Sequence, residues 1–325
     1  MGGTDDFVTT ALLSEELSRV FPSLEGTMMS SLGCARYIEQ AGPQELRDRA
    51  IPALLSGERI GCAAVTEPNV GSDPTALEAR TVLNGDHYVL NGSKCWISNG
   101  EISDYAVVLC RVEMGDGRGG IAALIVERER SPYEARDLPK LGLKGWCTSE
   151  LVFDDCRVPR ENCLTDRGPG ASLQLFTKNL QRSRCRLALM ALGIAQAAFE
   201  AAVDYARQRR QFGRPIGEFQ LVQDMVADMA TEIDAARLLT YRAVKLLNQQ
   251  TLCDREVAMA KSYSTEMAVR VTSRAVQIHG AYGLSPEFLV ERYFRDSRVL
   301  TIPEGTTELQ KLIIGRSVLG LSAFA

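Results

Sequence analysis

Histidine and tryptophan are scarce in this chain, with two of each among its 325 residues. Neither His87 nor His279 has a neighbour at metal-ligand spacing, so no catalytic zinc or iron centre is expected. Cysteine is not scarce, yet no two of the nine form a Cys-x-x-Cys pair. Scattered thiols, odd in number, read as reduced core residues of a cytoplasmic protein. No run of about 18 uninterrupted apolar residues occurs, so no membrane span is expected. The opening Met1-Gly-Gly-Thr-Asp-Asp lacks the basic and apolar segments of a signal peptide. Positive charge is not in excess: Lys and Arg number 37 against 41 Asp and Glu, for a net charge of -4, and nucleic acid is not expected as a partner. Also missing are the Gly-x-Gly-x-x-Gly of a Rossmann turn, the Gly-x-x-x-x-Gly-Lys-Ser/Thr of a P-loop and the Gly-x-Ser-x-Gly nucleophile elbow.

What is present falls into three textures. Residues 8–58 read as helical, with Phe7, Leu12, Leu13 and Leu17 near one face and a further helix over about 44–56. From about 60 to 165, short β-type runs at 79–83, 87–90, 105–112, 120–126 and 151–153 alternate with turn signals. Asn84-Gly85 and Asn91-Gly92 are the strongest of these, since both residues tolerate the positive φ of a tight hairpin. From about 170 onward the period returns to helical. Val222, Val226, Met229, Ile233, Ala236, Thr240, Val244 and Leu247 make one stripe. Val257, Ala260, Ser264, Met267, Val271, Ala275 and Ile278 make another, after a break at residues 251–254. The class expected is α+β: N-terminal helices over 1–60, a central antiparallel β-domain over 61–165, and a C-terminal antiparallel four-helix bundle over 166–325.

Four segments carry chemistry, each with a plain structural reading beside it. Val65-Thr-Glu-Pro-Asn-Val-Gly-Ser-Asp73 is a polar connector, or a set of hydroxyls and free N–H groups able to hold a ring or a thioester chain. Asn91-Gly-Ser-Lys-Cys-Trp-Ile-Ser-Asn-Gly100 offers a core tryptophan, or an aromatic plane beside a hydroxyl for a flat cofactor. Arg207-Gln-Arg-Arg-Gln-Phe-Gly-Arg-Pro215 is a basic helix end closed by Gly213 and Pro215, or a pyrophosphate clamp. In Thr301-Ile-Pro-Glu-Gly-Thr-Thr-Glu-Leu-Gln310, Thr301 and Glu304 have capping-box spacing, and Glu304 is also a lone carboxylate between Pro303 and Gly305.

Together with Ala275-Val-Gln-Ile-His-Gly280 and Gly283, these segments occur in the order found in the acyl-CoA dehydrogenases, and the sequence resembles that family over essentially its whole length. The resemblance implies FAD held without a Rossmann fold. Val65 and Thr66 would lie against the flavin, Thr66 on its pyrimidine side. Trp96 would cover one face, with Ile97 following and Ser98 bonding near N5. Gly71 and Ser72 would line the cofactor and the thioester–pantetheine region. Arg209 and Phe212, with Gln211 nearby, would reach the FAD of a neighbouring subunit, and Gln277 and Gly280 its adenosine side. A homodimer or homotetramer is therefore implied. Glu304 matches the catalytic base, taking the α-proton of an acyl thioester while the β-hydride leaves to flavin N5. Gly305 and Thr306 complete its motif, on the substrate and cofactor sides respectively. Some relatives carry the base on an earlier helix; here that position is Ser183, which cannot serve, and its neighbour Arg184 would orient the Glu304 loop beside the substrate.

Three departures accompany the match. The family has further helices ahead of the point where this chain starts, so the N-terminal domain is expected to be incomplete. Pro303 replaces a frequent tyrosine, and Trp146 replaces a small residue, either crowding the pantetheine entrance or filling core. The implied partners are an acyl-CoA or acyl carrier protein thioester and an electron-transfer flavoprotein. Competing expectations are a flavin oxidase or monooxygenase on the same fold, and a non-catalytic family member.

Overall fold

A computed structural model describes residues 6–113, 120–164 and 171–323. They pack into two compact units. A β unit contains Gly26–Lys140 and Lys144–Leu180; a helical unit contains the chain up to Glu25, Leu141–Leu143, and Gln181 onward.

In the β unit, seven strands form one sheet: β1 (Gly61–Ala64), β2 (Arg80–Asn84), β3 (His87–Ser98), β4 (Tyr105–Glu113), β5 (Gly120–Glu127), β6 (Glu134–Asp137) and β7 (Thr148–Pro159). The order is β1-β4-β2-β3-β7-β6, with β5 also pairing β4. The hairpin pairings are antiparallel as expected, but the sheet is mixed: β1 and β2 both run parallel to β4, along successive stretches of it. β4 and β5 are buried on both faces. Tyr105, Val107, Leu109, Ala123 and Ile125 pack into one cluster with Cys34, Ile38, Leu46, Ala50 and Leu54 of the helices α2 (Pro22–Ala41) and α3 (Gln44–Ser56). Ala106, Val108, Cys110, Ala122, Leu124 and Val126 pack into a second with Leu90, Leu151, Phe153 and Val158. Two-sided burial explains why these strands read as unbroken apolar runs rather than alternation.

The two Asn-Gly signals part company. Asn84 pairs with His87 across a two-residue turn, with Gly85 at φ 64°. Asn91-Gly92 is no turn. It lies inside β3, opposite a bulge on β7, where Asn91 exchanges side-chain bonds with Asp155 (3.0 and 2.8 Å). Glycine is needed at 92 because a Cβ would stand 2.7 Å from Ala79 Cα.

The helical unit contains α1 (Phe7–Val20), most of α4 (Ala171–Gln208), α5 (Gln220–Asn248), α6 (Asp254–His279), α7 (Val290–Val299) and α8 (Thr307–Leu319). Residues 172–208 are long and apolar enough to cross a membrane by length and composition, but 67% of their most apolar window is buried inside the protein, as in a core helix. The α5 and α6 stripes are buried as read from the sequence. The α1 face is not: Leu12 and Leu13 are exposed, and the buried side is Phe7, Ala11, Ser14, Glu15 and Ser18. Close approach decides this. A Cβ on Gly193 of α4 would come 2.3 Å from Glu15 O, so α1 lies backbone to backbone against α4 and presents its small residues there.

Trp146 is buried in the β unit over Gly26 of α2, which settles it as core. A Cβ on Gly26 would lie 2.4 Å from Trp146 Cδ2, so glycine leaves the space that the indole fills. Gly26→Ala is expected to cost about 1–3 kcal/mol in denaturant unfolding. Combined with Trp146→Ala, the two losses are expected to add to clearly less than their sum, as a double-mutant cycle would show.

Candidate active site

Glu304 lies on the loop between α7 and α8, in the helical unit, with φ 58°, and Gly305 follows at φ 91°. Two consecutive left-handed residues cost free energy and turn carbonyl groups out of helical register. At Gly305 a larger residue would be strained by this positive φ, and its Cβ would also press on the Leu309 side chain, 2.7 Å from Cδ2. Three buried side chains take up the carbonyls. Arg184 Nε donates to Glu304 O at 2.9 Å. Gln310 Nε2 donates to Glu304 O at 3.2 Å and to Gly305 O at 3.0 Å. Lys261, with no exposed surface, donates from Nζ to Thr301 O at 3.1 Å and to Gly305 O at 2.7 Å. The capping-box spacing of Thr301 and Glu304 is not used. The helix begins later, with Thr306 as its cap accepting from Leu309 N.

Burial raises the Glu304 carboxyl above its ordinary proton affinity, an effect opposed first by the Arg184 charge and then by that of Lys261. Burial also lowers Arg184, and pushes Lys261 down to about 8. A carboxylate kept hungry for protons and surrounded by backbone fixed through three donors has the properties of a general base. Ser183 stands in α4 next to Arg184 and offers no such group.

The 65–73 segment belongs to the β unit, leaving β1. Lys94 of β3, wholly buried, donates to Val65 O at 3.0 Å and to Glu67 Oε1 at 2.6 Å, while the Glu67 carboxylate accepts from the N–H groups of Glu78 and Ala79. Cys95 N donates to Thr66 O at 3.0 Å. Thus Val65 and Thr66 are tied to the strand that carries Trp96. One extra residue in β3 between Lys94 and Ile97 makes a bulge, with Trp96 at φ 60°. The bulge breaks alternation, so Cys95 and Ile97 point inward and Trp96 is left 58% exposed. It is not the core tryptophan of the plainer reading. The Thr66 and Ser98 hydroxyls, both half-buried, have no partner among the described residues. Gly71 and Ser72 are exposed, with open space where a Gly71 side chain would go. An exposed aromatic plane flanked by two uncommitted hydroxyls fits a flat heteroaromatic group such as a flavin ring.

The third group closes α4. Arg210–Gln211 and Arg214–Pro215 form a two-stranded hairpin rather than a plain helix end. Its tip is Phe212 at φ 49°, 93% exposed, followed by Gly213 at φ 80°. Arg209 lies over the Tyr282 ring at 5.6 Å. Tyr282 is two residues past Gly280, which ends α6 at φ 61° with its side-chain position open and Gln277 exposed one turn earlier. The helical unit therefore brings Arg209 beside the 280–284 segment, on one solvent-facing surface.

Sequence reasoning missed Lys94, Lys261 and Gln310. A lysine beside an apolar helical stripe, as Lys261 is beside Ala260, was the signal available.

Family models for the N-terminal, middle and C-terminal domains of acyl-CoA dehydrogenases match residues 1–58, 62–156 and 173–319. An acyl-CoA dehydrogenase of Bacillus subtilis is 41% identical over 323 residues, covering 98% of this chain and 84% of that protein. The chain belongs to the acyl-CoA dehydrogenases. These are FAD-dependent oxidoreductases acting on CH–CH bonds. The caffeyl-CoA reductase–Etf complex subunit CarC of Acetobacterium woodii is similar too, 35% identical over 98% of this chain and 84% of that protein. Among solved structures, a glutaryl-CoA dehydrogenase from Mycobacterium smegmatis in complex with FADH2 superposes with TM-score 0.93 at 26% identity. It matches 100% of this chain and 82% of its own.

A carboxyl held against its solvation preference costs the fold stability. The Glu304 carboxyl binds its proton more tightly folded than unfolded, so its contribution to stability is fully present in acid and is lost as pH rises through the folded value. Glu304→Gln is therefore expected to stabilise the protein by about 0.5–2 kcal/mol above neutral pH, with the gain vanishing toward pH 4, in denaturant titrations at the two pH values.

Proposed function

We propose that this chain removes the α-proton and β-hydride of an acyl-CoA, with Glu304 as the base. The observation that carries this reading is the Glu304 loop: a carboxylate of raised proton affinity on a left-handed backbone held by Arg184, Lys261 and Gln310. Bound FAD supplies the two-electron acceptor for the β-hydride. In this reading Trp96 presents its ring to the flavin, with Val65, Thr66, Ile97 and Ser98 around it. Gly71 and Ser72 border the cofactor and the thioester arm, Gly305 borders the reacting carbons, and Thr306 borders the cofactor. Arg184 acts on the substrate side by fixing the carbonyl of Glu304, so that the carboxylate meets the α-carbon from a constant direction. A thioester α-proton is only weakly acidic, and a fixed base of matched proton affinity speeds its removal by about 10²–10⁴-fold.

Purified protein with its bound flavin, kept anaerobic, is expected to bleach on addition of butyryl-, glutaryl- or palmitoyl-CoA. Glu304→Gln is expected to bleach about 10³-fold more slowly with its flavin retained. Bleaching only by the same acyl groups on a carrier protein would move the substrate class to carrier-bound thioesters. No bleaching by either would overturn the reading. The similarity to an Etf-complex subunit supports an electron-transfer flavoprotein as acceptor, and the nine scattered cysteines, none in a Cys-x-x-Cys pair, support a reducing compartment such as the cytoplasm.

The exposed Phe212 tip and Arg209 support a homo-oligomer in which one copy's hairpin, with Gln211, Gln277 and Gly280, meets the FAD of another. Phe212→Asp is expected to lower flavin content per subunit at least tenfold and to shift the protein to smaller species by light scattering, leaving the secondary structure unchanged by circular dichroism.

A further inference from the structure

Among the described residues of the helical unit, Lys261 is the largest fully buried polar side chain, and the reaction itself does not call for it. Its ammonium has no exposed surface, and a methionine would fill the same space without the cost of burying a charge, which runs to several kcal/mol. What the lysine does instead is geometric. Of the three side chains that bond carbonyls of the base-bearing loop, it alone reaches both ends, bonding Thr301 O on the α7 side and Gly305 O on the α8 side. Arg184 and Gln310 bond only Glu304 and Gly305. Between the two lysine contacts lie Ile302, Pro303 and Glu304, and the last is held at positive φ.

The charges around this ammonium are Arg184 from α4, Glu266 on its own helix, Glu308 from α8, and Glu304 from the loop. Glu266 is engaged by Thr307 Oγ1 at 2.6 Å, and Glu308 is exposed. The Glu304 carboxylate makes no hydrogen bond among the described residues. It is therefore the uncommitted anion on which the lysine charge acts.

We propose that Lys261 is a positioning residue for Glu304: it closes the loop at both ends and holds the carboxylate in its ionised, proton-accepting form. The inference rests on Glu304 being the base. Removing the ammonium takes away one of the two positive charges that oppose burial, so the Glu304 carboxyl binds its proton more tightly. The pH at which it ionises then rises.

The test compares native enzyme with Lys261→Met, which removes charge and donors, Lys261→Gln, which removes the charge and keeps N–H groups, and Lys261→Arg, which keeps the charge. Flavin content and melting temperature qualify each protein; Lys261→Gln carries the test if Lys261→Met does not fold. The first readout is the carboxyl infrared band of Glu304, titrated with pH as the difference against Glu304→Gln, and it needs no turnover. The second is anaerobic flavin reduction by the acyl-CoA that bleaches the native enzyme fastest. The band is expected to titrate about one unit higher in Lys261→Met and Lys261→Gln, and unchanged in Lys261→Arg. The limiting reduction rate in Lys261→Met is expected to fall more than tenfold, its acid limb moving up with the band, while KM stays within threefold. A band and rate profile unmoved in the neutral variants would overturn the inference. If no thioester reduces the native flavin, the functional reading fails by itself, and the infrared titration still decides Lys261.

Discussion

An ammonium group has three N–H bonds to satisfy, and where it has no exposed surface it turns to whatever oxygen atoms the fold can bring to it. Lys94 and Lys261 are both in this position. One is met by Val65 O and Glu67, the other by Thr301 O and Gly305 O. The requirement works in reverse as well. Each lysine fixes irregular backbone that has neither a helical nor a sheet ladder to hold it. Of the two segments so fixed, one leads from β1 toward the strand bearing Trp96 and the other carries Glu304. Breaking a buried charged contact by removing one partner is far costlier than losing an exposed pair, so these loops are held by contacts that are expensive to lose.

Left-handed residues mark three of the motif segments. Trp96, Phe212 and Glu304 all have positive φ without being glycine, and each belongs to a segment to which the family resemblance attaches chemistry. In each case local geometry does something that regular structure cannot. A bulge brings an indole out of a strand that would have buried it, a hairpin tip exposes a phenyl ring almost completely, and a loop holds a carboxylate-bearing residue ahead of the helix that follows it.

Much of this was legible in the residues, for identifiable reasons. The α5 and α6 stripes are long and strictly periodic, and long periodic segments leave little choice of buried face. The motifs around Thr66, Trp96 and Glu304 were visible because they break periodicity. What escaped reading depends on contacts distant in sequence. The buried face of α1 is chosen by Gly193, far along the chain, and not by its own leucines. The Asn91-Gly92 pair looks like Asn84-Gly85 until β7 supplies a bulge opposite it. The two parallel pairings to β4 follow from where its neighbours enter the sheet, which no local pattern records. Lys261 is anonymous in sequence because the oxygens it serves lie some forty residues further on.

The buried thiols have a practical side. Cys34, Cys62 and Cys110 in the β unit, and Cys185 in the helical unit, show no exposed surface, and burial raises the proton affinity of each. A thiol that is both hidden and protonated does not react with an alkylating reagent until the structure around it opens. The chain thus carries its own clocks, three in one unit and one in the other. The order in which they start to run under mild denaturation reports which unit loosens first.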